Sequence, residues 1–234
     1  AFTHATLLAL LGHEVSDKTA AFVEHIFQLL IDHGGHVSGA VNTMITARAG
    51  KDMVSSLAAG LLTIGPRFGG AVNEAARAWR EGVASGESPV AFTERMNAER
   101  KLLSGIGHKK YRVGLPDPRV AALASFAELL TKHPHYDFAR GVERATTGKS
   151  GNLILNVDGV IAALLLDLLV GEENCGPDEI RELLDAEFFN ALFIIPRSVG
   201  FIAHFLEQKR HDEGLFRLPD DLRELSIRTF RKKE

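Results

Sequence analysis

Only one run in this chain, Asn152-Leu153-Ile154-Leu155-Asn156-Val157-Asp158, reads as a buried strand, and it constrains the fold more than any other feature. A single strand cannot build a sheet, so the run is expected as an extended or helical turn within an all-α domain. The rest carries helical spacing broken by Gly and Pro. Helices are expected from Ser16 or Asp17 to about Asp32, from Ser38 to Ala49, and from an Asp52 cap through Leu62. Further ones are expected over Ala71–Ala84, Pro89–Leu103, Pro118–Lys132, Tyr136–Thr146, Val160–Val170, Pro177–Leu184, Glu187–Gln208 and Asp220–Thr229.

With 45% hydrophobic and 24% charged residues the chain is a globular one, long enough to bury a large core. A net charge of −3 argues against nucleic acid or an anionic membrane as partner. The longest apolar run, Val160–Val170, is interrupted by Asp167 and too short to span a bilayer, so no membrane association is expected. One cysteine, Cys175, excludes an intrachain disulfide and suits a cytoplasmic setting. No secretory signal opens the chain, and its start at Ala1-Phe2 without Met suggests trimming or a longer polypeptide.

Two titratable residues stand in Gly-containing turns beside apolar segments: His108 in Gly105-Ile106-Gly107-His108, and Asp158 in Asn156-Val157-Asp158-Gly159. Turns of this kind present acid–base groups at the mouth of a core. Between Glu94 and Arg119, seven basic side chains face three acidic ones, which suits a polyanionic ligand such as a nucleotide. Arg197 lies in the otherwise apolar Phe193–Phe201, where a guanidinium needs a carboxylate or an anionic substrate. Gly148-Lys149-Ser150 lacks the upstream Gly of a phosphate loop, since Glu143 stands there. His33 and His36, separated by two glycines, are not expected to chelate a metal, and Cys175 has no assignable base, so no metal site is expected.

Collinear stretches along most of the chain resemble the citrate synthase superfamily. They include Asp32-His33-Gly34, Val37-Ser38-Gly39-Ala40, Ala47-Arg48-Ala49-Gly50-Lys51-Asp52, Gly60-Leu61-Leu62-Thr63-Ile64-Gly65, Arg67-Phe68-Gly69-Gly70, the two turns above, Arg197-Ser198 and Gln208-Lys209-Arg210. They look most like the citrate-synthase-homology module of ATP-citrate lyase and the citryl-CoA lyases. The resemblance implies a helical body, about 1–88 and 148–234, with a small mobile subdomain, about 89–147, assembled as a homodimer or homotetramer. It implies a citryl-CoA lyase, cleaving citryl-CoA to oxaloacetate and acetyl-CoA. The alternatives are a citrate synthase-like condensing enzyme or a CoA-binding oligomerisation module of a larger assembly.

By the same resemblance His108 binds the oxygen that alternates between oxaloacetate carbonyl and citryl hydroxyl, and Asp158 moves the proton at carbon. His33, Arg119 and Arg197 match residues that hold substrate carboxylates, and Arg217 matches one that reaches the neighbouring subunit's site. Lys101, Lys109, Lys110 and Arg112 suit the nucleotide end of coenzyme A, which enters as part of the substrate; no covalently bound cofactor is expected. Two departures matter. Synthases have a His where this chain has Phe68, whereas the lyases it resembles also have Phe there; those lyases have a His where this chain has Val41. His36 is the remaining side-chain candidate to donate to the thioester enolate, provided that it lies in the loop before the helix.

Overall fold

The computed structural model describes residues 2–65 and 69–218. Among these the helices are α1 Phe2–Leu11, α2 Asp17–Leu30, α3 Ser38–Arg48, α4 Met53–Leu61, α5 Val72–Ser85, α6 Pro89–Ala98, α7 Pro118–Ala124, α8 Pro134–Thr147, α9 Val157–Gly171, α10 Pro177–Asp185 and α11 Phe188–His211. A 3-10 turn, Ser125–Leu129, follows α7, and extended pairing is limited to isolated bridges. The fold is all-α, as expected, and has the expected helices at nearly the expected places.

Local chemistry explains the starts. The side chains of Ser16, Asp52, Ser88, Asp117 and Asn156 each accept a backbone N–H from the first turn of α2, α4, α6, α7 and α9. Pro occupies the first turn of α6, α7, α8 and α10, where no N–H is needed. Ends were less legible. Helix α6 stops at Ala98, short of Leu103, because Arg100 turns left-handed (φ +55°) and the Lys101 N–H returns to the Met96 carbonyl (2.9 Å). The expected helix over 118–132 becomes α7 and the 3-10 turn. Helix α1 was not anticipated, and the expected Asp220–Thr229 helix lies outside the described residues.

Contacts divide the chain into two compact units, Ala1–Asp32 with Ile64–Arg197, and His33–Thr63 with Ser198–Glu234. The first unit is built on α9, whose residues are buried almost throughout because the helix is apolar on every face. Asp167, the fully buried one of the two aspartates on α9, caps α8. It accepts the backbone N–H of His135 (3.0 Å) and Tyr136 (2.9 Å) and pairs with His135 Nδ1 at 2.7 Å. Those bonds offset the cost of burying it. Trp79 of α5 and Phe92 of α6 meet Phe138 of α8 edge-on, and Gly82 leaves room for the Phe138 ring. By contact, then, the segment 89–147 belongs with the first unit, since α8 packs on both α5 and α9.

In the second unit α3 and α4 pack closely through small residues, as their composition anticipates. A Cβ at Gly60 would fall 2.2 Å from Thr43 Oγ1, and one at Gly39 2.2 Å from the Phe201 ring. Among the described residues, α11 alone is long and apolar enough to cross a membrane. Half of that stretch is buried within the protein, as in a core helix.

Candidate active site

The strand-like run finds its partner in the glycine turn. The Gly107 N–H donates to the Ile154 carbonyl (2.7 Å), His108 N–H to Asn152 (3.0 Å), and Asn156 N–H to Gly105 (2.9 Å). Asn156 Nδ2 also donates to the Gly107 carbonyl (3.0 Å) while its Oδ1 caps α9 through Gly159 N–H (3.1 Å). One asparagine thus ties the two turns together and starts the helix that carries Asp158. Gly105 and Gly159 permit the approach: a Cβ on Gly159 would lie 2.4 Å from the Gly105 carbonyl oxygen, and Gly105 itself is at φ +87°.

His108 is oriented by its own loop. Its Nδ1 accepts the backbone N–H of Lys110 and of Tyr111, both at 3.0 Å, which places the ring proton on Nε2. Protonating Nδ1 would cost both bonds. Burial, aided by Arg119 and Lys110 and opposed by Asp117, pulls the imidazole below its usual pKa. A neutral ring with Nε2–H outward is a hydrogen-bond donor toward developing negative charge. Nε2 lies 4.0 Å from Asp117 Oδ2, beyond hydrogen-bond reach.

Asp117 is buried and engaged by Arg119 through its backbone N–H (3.0 Å), Nε (3.1 Å) and Nη2 (2.7 Å). Burial alone would lift its carboxyl; the Arg119 bonds and charge outweigh this and hold it below the ordinary value. Asp158 is opposite in sign. Burial pushes it up to about 6, with Arg119 and Arg197 opposing, and its carboxyl has no hydrogen bond among the described residues. Arg197 is 1% exposed, and Nε, Nη1 and Nη2 all lack a hydrogen-bond partner among those residues. Its guanidinium stacks over Phe193 at 4.8 Å and senses the charges of Asp32, Arg119 and Asp158. Among the described residues, then, a buried guanidinium without a hydrogen-bond partner lies within electrostatic reach of a carboxyl whose pKa is raised toward neutrality.

The family model for the citrate synthase C-terminal domain matches residues 2–218. The chain belongs to the citrate synthase family. It is 47% identical to mouse ATP-citrate synthase over 204 residues, which are 86% of this chain and 18% of that protein. It superposes on the structure of ATP citrate lyase from Methanothrix soehngenii, in complex with citrate and coenzyme A, with a TM-score of 0.90 and 40% identity. That match covers 94% of this chain and 36% of the archaeal one. The citryl-CoA lyase of Hydrogenobacter thermophilus gives a TM-score of 0.80 at 29% identity, covering 96% of this chain and 82% of that one. The chain is therefore a citrate synthase-like module of the ATP-citrate lyase type, about a third or less of the ATP-citrate proteins' length.

Within this citrate synthase module the expected site residues fall into two groups. His108, Arg119, Asp158 and Arg197 share the first unit, as do Lys101, Lys109, Lys110 and Arg112. Lys101 is exposed and paired with Glu99 (2.7 Å), Lys109 is exposed, and Lys110 lies 5.1 Å from the Tyr111 ring. Arg112 lines a cavity of about 530 Å³ with Asp117, Arg140, Arg144 and Thr147. His33, His36 and Arg217 belong to the second unit. His36 lies in the turn before α3, folded toward Gly34, whereas Val41 is on the helix itself. Arg217 is exposed beside Phe216, on which Arg48 stacks. Phe68 lies outside the described residues. Asp117 escaped notice as a site residue; its place before Pro118 marks a cap, but nothing in the sequence shows that it turns back onto Arg119 and toward His108.

Proposed function

We propose that this module cleaves citryl-CoA to oxaloacetate and acetyl-CoA. The observation that carries the reading is Arg197: among the described residues its buried guanidinium has no hydrogen-bond partner, and an arriving carboxylate would supply one. Arg119 and Arg197 hold substrate carboxylates, with His33 assisting, and Arg217 serves the site of a neighbouring copy in a homodimer or homotetramer. His108 Nε2–H donates to the oxygen that changes from hydroxyl to carbonyl. The carbon–carbon bond breaks, its electron pair forms the acetyl-CoA enolate, and Asp158 protonates the methylene carbon. The proton lost by the hydroxyl passes to the Asp158 carboxylate, which delivers it to the methylene carbon, so none is released overall. His36 is the proposed enolate donor. Lys101, Lys109, Lys110 and Arg112 face the nucleotide end of coenzyme A, and 89–147 moves as the small subdomain. In a cytoplasmic setting, ATP-dependent activation of citrate would fall outside residues 1–234.

Purified protein given synthetic citryl-CoA should release oxaloacetate, followed by its reduction with malate dehydrogenase and NADH. Release no faster than in Asp158→Ala protein would defeat the reading. Arg197→Met should raise KM for citryl-CoA while making the substrate-free protein more stable by about 2 kcal/mol in urea, because it removes an unpaired buried cation.

A further inference from the structure

We propose that His13, Cys175 and Glu179 form a binding site for a divalent transition-metal ion of the zinc kind, separate from the active site. One nitrogen, one sulfur and one oxygen from these residues lie within 4.8 Å of one another. His13 Nε2 is 3.6 Å from Glu179 Oε1. Metal–ligand bonds of about 2.0–2.3 Å set tetrahedral ligand separations of roughly 3.3–3.8 Å, so this pair is already at the right distance and the sulfur needs to close by about 1 Å at most.

The imidazole is held in the ligating tautomer. His13 Nδ1 is 3.0 Å from the Glu14 carbonyl oxygen. A carbonyl only accepts, so Nδ1 carries the proton and Nε2 turns its lone pair to the cluster, the arrangement that orients histidine ligands in metal sites. Cys175 is 5% exposed, and its thiol lies within 4.8 Å of a Glu179 carboxylate oxygen. An ion would take the place of that thiol proton. His13 and Glu179 keep side-chain exposures of 40% and 46%, which leaves a route from solvent. A thiolate and a carboxylate neutralise the ion, and water completes four-coordination.

The scaffold is fastened beside the cluster. Ser16 donates to Glu173 Oε1 through its N–H (3.1 Å) and hydroxyl (2.7 Å), Lys18 pairs with Glu172 (2.6 Å), and the Cys175 N–H donates to Leu169 O (2.8 Å). The Ser16 and Lys18 bonds clamp the start of α2 to the α9–α10 connection. The ion would add a link beside them, from His13 to Cys175 and Glu179. Sequence gave no hint of this, since His13 and Cys175 are far apart in the chain.

The test titrates the intact, metal-free protein with Zn²⁺ by calorimetry and then with Co²⁺ by absorption. One ion per chain with Kd of roughly 1 μM or tighter is expected, together with a sulfur-to-cobalt charge-transfer band. Cys175→Ser should abolish that band, and Cys175→Ser and His13→Gln should each weaken binding by more than about tenfold. Glu179→Gln, at an exposed position, serves as the third variant should either of these fail to fold. Absence of stoichiometric binding would overturn the site, leaving His13 and Glu179 as a surface ion pair. Undiminished binding in the variants would overturn it equally, because the ion would be held elsewhere.

Discussion

The N-termini of α7 and α9 each carry an aspartate near the active site, and the fold sends the two in opposite directions. At α7 the carboxylate itself is the cap: Asp117 accepts from Arg119 backbone and side chain, is spoken for by those bonds, and is held below its ordinary pKa. At α9 capping is delegated to Asn156, and Asp158 sits two residues on, with no side-chain hydrogen bond among the described residues and its pKa pushed to about 6. A helix N-terminus favours negative charge in both places. The difference is made by desolvation and by which residue performs the capping. One carboxylate is thereby held charged, and the other can change its protonation near neutral pH.

Replacing Asp158 is expected to give the largest effect. Asp158→Asn keeps the shape but cannot move a proton, and kcat for citryl-CoA cleavage should fall by about 10²–10⁴-fold with KM little changed. A smaller loss would mean that another group protonates carbon. Next comes the fixed charge: Asp117→Asn leaves Arg119 without its partner and should destabilise the protein by about 3 kcal/mol in urea denaturation. Since the Asp117 pKa is lowered in the fold, its contribution is present above the usual 3.8 and is lost as pH falls through the folded value. The stability of wild type and variant should therefore converge in acid.

The pH dependence sharpens the contrast further. Exchange of acetyl-CoA methyl protons with deuterated water needs Asp158 as carboxylate, so kcat/KM for exchange should rise about tenfold per pH unit and level off above about 6. An ordinary aspartate would level off near 3.8. Because the overall cleavage releases no proton, cleavage and condensation should share this limb. Asn156→Asp, which puts a second carboxylate in the cap, should move the limb to higher pH. The smallest effect is expected of Asn156→Ala, a loss of about 1 kcal/mol from the missing cap, read by thermal unfolding.

Helix positions and most helix starts were legible because caps and apolar spacing are local properties. Ser16, Asp52 and Asn156 act where their side chains reach only two or three residues onward. Helix ends were less so, since Arg100 stops α6 by a left-handed turn that favours glycine but does not require it. The second-unit residues His33, His36 and Arg217 were named from resemblance, and their functional roles stay within the proposal. The buried pairing of Asp167 with His135, and the cluster of His13, Cys175 and Glu179, had no local signal at all.

By itself, then, the sequence determined an all-helical fold, the family, and His108 and Asp158 as the residues to watch. Periodicity, capping and short motifs are written in neighbouring residues. Tertiary structure alone decided that Asn152–Asn156 pairs with the Gly105–His108 turn, that Arg197 is buried without a hydrogen-bond partner among the described residues, and that Asp117 and Asp158 part in pKa. Those outcomes depend on desolvation and on charges brought close from distant parts of the chain, and neither exists until the chain has folded.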